Sequence, residues 1–409
     1  MTNTQKLRII AVLASGSLIG CPAARAAVGQ TAQHPPAARP AIRRNCPSRD
    51  EISAALGQAS RLMAQARYPD AAAALGPLAE SGCDPRASLL YAASFDAQGQ
   101  PDKATAVLEQ AHTDWPLNNS IAASLARAEM NAGRPDKAGK ALQHFAATPS
   151  TPQQELEEAV LVYFATHRLE AARGAAAVEY KLYPTLHTLL LLANALQLEG
   201  RYPDVNRLLG AKRDIYADSP EFFVTLAESE SDAAIYADAV KDLQRAIQLN
   251  AKLPQAHYLL GYVWLRQNHA DAAIAEFHAA IELGFDQPRT YYQLALALRA
   301  RQDETGEEQA LHRALAADSN YAPAQCELGR ILLEQHRPEE AVSHLTAAVE
   351  SNPRSEEGYF LLAKAFAGLG QKDKSMEMVK RLTTVRRENR TTAQNGNEAP
   401  APESPPEKP

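Results

Sequence analysis

The chain has 409 residues, of which 45% are hydrophobic but only 6% aromatic, and a formal net charge of −6. Its length allows two or three domains, and an apolar fraction dominated by alanine favours close-packed helices over sheets. An acidic balance supplies no basic field for nucleic acid, so nucleic-acid binding is not expected.

At the N-terminus Lys6 and Arg8 precede the apolar run Ile9 to Ile19. The run is shorter than the ~20 apolar residues a bilayer-spanning helix needs, but it has the form of an export signal, assigned to residues 1–26. Two processing sites compete. Ala24-Arg25-Ala26 is a small-x-small site for ordinary signal peptidase, whereas Leu18-Ile19-Gly20-Cys21 resembles a bacterial lipobox that would make Cys21 the lipidated first residue. Both place the chain outside the cytoplasm, in the periplasm or anchored in the cell envelope, with any membrane contact made through that lipid. Residues 27–45 are rich in Ala, Pro, Gln and Arg and lack apolar periodicity, so they read as a disordered linker. Residues 390–409, Pro- and Glu-rich, read as a disordered tail. The apolar stretch Thr185 to Leu198 is interrupted by His187, Asn194 and Gln197, and no transmembrane helix is expected.

Between linker and tail, residues 46–389, the hydrophobic period is helical throughout. Offsetting the chain against itself by 34 residues aligns Gly261, Ala295, Gly329 and Ala363 in one column, each preceded by leucine: Leu260, Leu294, Leu328 and Leu362. That period belongs to a helix-turn-helix solenoid. Ten units follow, starting near residues 53, 85, 119, 152, 186, 220, 254, 288, 322 and 356. The unit from Pro254 carries Leu260, Gly261, Trp264, Ala273, Phe277 and Ala280; that from Ala322 carries Leu328, Gly329, Leu332, Ala341, Leu345, Ala348 and Pro353. These residues resemble the tetratricopeptide repeat, whose pattern sets small residues and large apolar ones at fixed slots of two antiparallel helices. The resemblance covers about residues 53–389 and implies an all-α fold, a right-handed superhelical solenoid of about ten repeats with one concave groove. Two residues depart from the pattern: Glu158 takes an apolar slot and Glu307 a small-residue slot.

Trp264 to Glu282 brings His269, Asp271, Glu276 and His278 within ten residues, as a metal site would. In the repeat frame, however, His269 lies in the turn and His278 on the second helix, so they do not share the i, i+3 or i, i+4 face that helical metal pairs use. Gly133 to Ala141 nearly forms a phosphate loop but has no hydroxyl and no preceding strand. With no H-E-x-x-H, G-x-S-x-G or C-x-x-C motif either, no enzymatic activity, cofactor, metal or small-molecule substrate is expected. Cys46 lies just before the first helix and Cys83 just after the second, where the ends of a hairpin meet. In an exported protein these two residues form a disulfide or, alternatively, remain two free thiols. Cys326 falls on a first helix as a small packing or groove residue.

The resemblance implies that the first helix of each repeat lines the concave face. Its slots hold Tyr258, Tyr262 and Arg266, then Arg289, Tyr292 and Arg299, then Arg330, Phe360 and Lys364: a basic groove with interleaved aromatics. One repeat earlier Glu221, Glu228 and Asp232 reverse the sign. Tyr and Arg are favoured interface anchors, so protein partners are expected in the groove. The Lys and Asn pair with which some family members clamp chaperone tails is not present. The implied role is an exported scaffold for protein–protein interactions in a bacterial envelope assembly. The alternative is an accessory or regulatory subunit of an envelope enzyme complex, such as polysaccharide synthesis or secretion machinery.

Overall fold

The computed structural model describes residues 46–394. The signal segment with Cys21, the 27–45 linker and residues 395–409 lie outside the described residues. Among the described residues there are twenty α-helices, two for each of the ten repeats, and no strand. They fall into two compact units, one ending at Val205 and one starting at Asn206.

The first unit contains α1 (Arg49–Ala64), α2 (Tyr68–Glu80), α3 (Pro85–Ala97), α4 (Pro101–Asp114), α5 (Asn119–Asn131), α6 (Pro135–Ala141), α7 (Gln153–Ala165), α8 (Leu169–Leu182), α9 (Leu186–Leu198) and the start of α10 (Tyr202–Gly210). Its core is built from the repeat columns: Ala92, Ala104, Leu108, Ala126, Ala138, Leu142, Val160, Phe164 and Ala176 are all buried. The first helix begins at Arg49 rather than at residue 53, because Ser48 and Glu51 cap it reciprocally: the Glu51 carboxylate accepts the Ser48 N–H at 2.7 Å and the Ser48 hydroxyl accepts the Glu51 N–H at 3.3 Å. A disulfide joins Cys46 to Cys83, with their Cα atoms 5.7 Å apart, and closes the first hairpin. One helix is cut short: α6 has seven residues. Beyond it Asn119 takes over the chain's hydrogen bonding, its side chain donating to the Ala146 carbonyl at 2.7 Å and accepting the Ala146 N–H at 3.1 Å.

The second unit contains α11 (Pro220–Asp232), α12 (Tyr236–Leu249), α13 (Pro254–Arg266), α14 (Ala270–Glu282), α15 (Pro288–Ala300), α16 (Glu304–Ala317), α17 (Ala322–Glu334), α18 (Pro338–Ser351), α19 (Glu356–Gly368) and α20 (Lys372–Gln394). The last helix extends past residue 389, where the tail was expected to begin. The small-residue column works by close approach: a Cβ on Gly261 would lie 2.9 Å from the Phe277 ring, and one on Gly329 would overlap Leu345. Each glycine is thus the floor on which a large side chain of the paired helix rests.

Every turn inside a hairpin holds one residue with positive φ: Ala66, Gly99, Gly133, His167, Gly200, Ala234, Asn268, Gln302, His336 and Gly370. This left-handed residue ends the first helix and lets the next N–H reach back, as Arg337 does to the Leu332 carbonyl at 2.8 Å. Proline then opens several second helices, including α4, α6 and α18, where its missing N–H has no helical partner to lose.

The two off-pattern glutamates stay in register because an arginine of a neighbouring hairpin meets each. Arg127 of α5 lies 3.2 Å from Glu158, and Arg330 of α17 lies 2.7 Å from Glu307. Burial raises the pKa of both carboxyls, and the arginines pull it back.

Candidate peptide-binding face

Within the second unit first helices lie beside one another, α11 against α13, α13 against α15 and α17 against α19. Their shared inner surface brings together most of the sequence-predicted groove residues, but not in the roles expected for all of them.

Tyr258 is only 3% exposed. Its ring packs against Phe277 at 6.0 Å and Phe285 at 5.3 Å, with the Arg289 guanidinium 4.5 Å from its centroid. It is therefore a core residue and not a free contact, because the segment leading into the following repeat folds over it. Phe360, in the corresponding slot of the tenth repeat, is not covered by a later hairpin among the described residues and is 53% exposed. Lys364, one helical turn away, is exposed as well.

The expected run of free cations is also corrected. Arg330 is only 21% exposed and meets three carboxylates at 2.7 Å each, those of Glu327, Glu307 and Glu334. Arg299 reaches Glu327 at 2.8 Å. These two arginines are spent inside the protein, tying α15, α16 and α17 together. Arg266 donates from Nε to the Tyr236 hydroxyl at 3.2 Å. Tyr262 and Tyr292 are half-buried, and burial raises the pKa of both, so each hydroxyl remains a neutral donor. Tyr292 meets Tyr321 edge-on at 5.9 Å.

Three residues of this face escaped the sequence reading. Tyr321 sits just ahead of its repeat's first helix, Tyr236 opens a second helix, and Glu327 occupies a slot next to those assigned to the groove. A slot scheme confined to first-helix positions passes over the first two; the clustering of arginines around Glu327 was the available signal for the third.

The pair His269 and His278 is not brought together with acidic ligands: among the described residues no group of three His, Cys, Asp or Glu side chains has metal-binding geometry. His269 instead rests edge-on to Trp264 at 5.1 Å. Cys326 is buried among carboxylates, which together with desolvation hold it as the thiol.

Antiparallel helix pairs of this length, stacked through small-residue columns and offering one helix of each pair to an inner surface, define a helical-repeat protein of the interaction type. The chain carries tetratricopeptide repeats in both units. One tetratricopeptide-repeat family model matches residues 95–153 and 332–394, and a second matches residues 56–111 and 224–288. Among solved structures, the chain is 17% identical to the MamA protein, over 46% of this chain and all of that one, with a TM-score of 0.38. It is 18% identical to YrrB, described as a TPR protein with an unusual peptide-binding site, over 46% of this chain and 96% of that one, with a TM-score of 0.37. A human IFIT1 dimer with m7Gppp-AAAA is 14% identical over 74% of this chain and 90% of that one, with a TM-score of 0.42. No curated protein sequence matches the chain.

Proposed function

We propose that the chain is a non-catalytic scaffold, exported to the bacterial cell envelope, that binds protein partners on the inner face of its repeats and organises an envelope assembly. The observation that carries this reading is the aromatic and cationic surface left accessible on that face once internal pairing is subtracted: exposed Phe360 and Lys364, with half-buried Tyr262 and Tyr292. Such side chains combine large contact area with directed hydrogen bonds and anchor protein interfaces. Export rests on the N-terminal apolar run, and the lipobox-like Leu18 to Cys21 supports an anchored form.

In-cell cross-linking and capture with wild type and with a Tyr262→Ala, Phe360→Ala, Lys364→Ala variant tests the interaction. Tyr258 is left intact because its ring is core. A partner lost only from a normally helical variant is the expected result, and a synthase or secretion component among those lost would make the chain an accessory subunit of that machinery. Identical capture by both proteins would remove the inner face from consideration. Fractionation of Cys21→Ala tests the anchor: it is expected to move from membrane to soluble fraction.

A further inference from the structure

We infer that Arg289 is a carboxylate-receiving subsite, and that the partner bound on the inner face presents an acidic peptide segment to it. This rests on the reading of that face as a protein-binding surface.

The inner-face arginines differ in what they have left to offer. Arg299 and Arg330 share Glu327, Arg330 is further held by Glu307 and Glu334, and Arg266 is turned onto Tyr236. Arg289 differs: it shares a hydrogen bond with the Tyr258 hydroxyl, but among the described residues no carboxylate forms an ion pair with it. Its guanidinium is nevertheless fixed in place. It lies 4.5 Å from the centroid of the Tyr258 ring, and its Nε is buried without a hydrogen-bond acceptor. Tyr258 and Tyr321 both feel its positive charge, which opposes the upward shift that burial imposes on their hydroxyls. The acidic side chains nearest this pocket are Glu228, which acts on Tyr258, and Asp318, which acts on Tyr321 and accepts the Asn320 N–H at 2.9 Å.

A guanidinium held over an aromatic ring, partly withdrawn from water and without a carboxylate counter-ion, is organised to receive a planar anion. Low local dielectric makes one added charge-assisted hydrogen bond stronger there than at an exposed arginine. Arg289 is only half-buried, so part of its side chain remains accessible to a ligand. Tyr292, half-buried and braced edge-on by the buried Tyr321, provides an apolar surface for the side chain next to the ligand's carboxylate. The same chemistry is offered by an Asp or Glu side chain and by a C-terminal carboxylate.

Calorimetric titration of the purified full chain with three synthetic hexapeptides separates these sources. One alternates Glu and Leu and is amidated, the second replaces each Glu by Gln, and the third is the Gln peptide with a free C-terminus. The expected result is that wild type prefers a carboxylate peptide over the amidated Gln peptide by about tenfold or more. Arg289→Gln abolishes that preference, Arg289→Lys keeps part of it, and Arg313→Gln, which removes an exposed arginine from α16, leaves it intact. Preference for the first peptide identifies side-chain carboxylates as the ligand, and preference for the third identifies a C-terminus. Equal binding of all three by wild type, no binding of any, or equal losses in Arg289→Gln and Arg313→Gln would overturn the subsite. Failure of the protein-binding reading itself is distinguishable, because it appears as unchanged partner capture by the Tyr262, Phe360 and Lys364 variant, which retains Arg289.

Discussion

Individual residues of this chain are chosen as much for backbone conformation and burial as for chemistry. The hairpin turns show this: the left-handed position is glycine in some repeats but Ala66, His167, Ala234, Asn268, Gln302 or His336 in others. A side chain in that conformation costs about 1 kcal/mol or more relative to glycine. Glycine gives back part of that gain because it frees the unfolded chain. Ala234→Gly is therefore expected to stabilise the second unit by roughly 0.5–1 kcal/mol, read as a higher urea midpoint with unchanged m-value. The inner face shows the same dependence on context: Tyr258 and Phe360 hold equivalent slots, yet one is core and the other surface. Nothing in either residue type distinguishes them, and the difference lies in the packing of Phe285 and Arg289 over the Tyr258 ring.

At the level of helices, small residues and a covalent closure set the packing. A methyl group added at Gly329 collides with Leu345, so Gly329→Ala is expected to destabilise by about 1–2 kcal/mol even after alanine's better helix propensity is counted. Adding Leu345→Ala makes room for the methyl group at the cost of core burial, and the two substitutions are expected to be clearly non-additive in a thermal double-mutant cycle. At the other end of the chain, the disulfide closes a sequence separation of 37 residues. Replacing both Cys46 and Cys83 with serine is expected to remove about 3–4 kcal/mol from the terminal hairpin. In a repeat array that loss stays local, and hydrogen exchange should report faster opening of α1 and α2 with little change in α4 or α5.

Over the whole molecule, buried carboxyls make stability depend on pH. Glu179 of α8 is 0% exposed. Burial, with the Glu157 carboxylate nearby, pushes its pKa up to about 7, and neither of its oxygens makes a well-formed hydrogen bond. In the second unit Glu230 is raised to about 8 by burial and by Asp242, with Arg213 opposing the shift. Both folded-state values lie above the ordinary carboxyl value, so the folded chain holds protons that the unfolded chain releases. Stability is highest where both states are protonated and falls as pH rises from about 4.5 through 7 to 8. For Glu179 the loss is up to about 3 kcal/mol. Thermal melts from pH 5 to 9 are expected to show the decline, and Glu179→Gln to flatten it and raise the melting temperature at pH 8 but not at pH 5. A Glu179→Gln protein with the wild-type pH profile would show that this carboxyl is ionised when folded.

Much of the fold was legible in the sequence because a tetratricopeptide repeat is a local code. Its period, its small-residue columns at Gly261 and Gly329, and the proline-opened second helices all act within one or two neighbouring hairpins, so a single repeat's residues suffice to specify them. The inner face was legible only as a set of positions. Which arginines are free depends largely on carboxylates of neighbouring repeats: Glu327 claims Arg299 and Glu307 claims Arg330, while among the described residues no carboxylate forms an ion pair with Arg289. Likewise, the covering of Tyr258 by the start of the next repeat and the exposure of Phe360 follow from stacking. The sequence by itself determined the secondary structure and the pairing of helices, since short-range packing decides them. Tertiary structure alone decided which side chains remain available to a partner, because charge neutralisation and burial act between residues that the chain brings together only on folding.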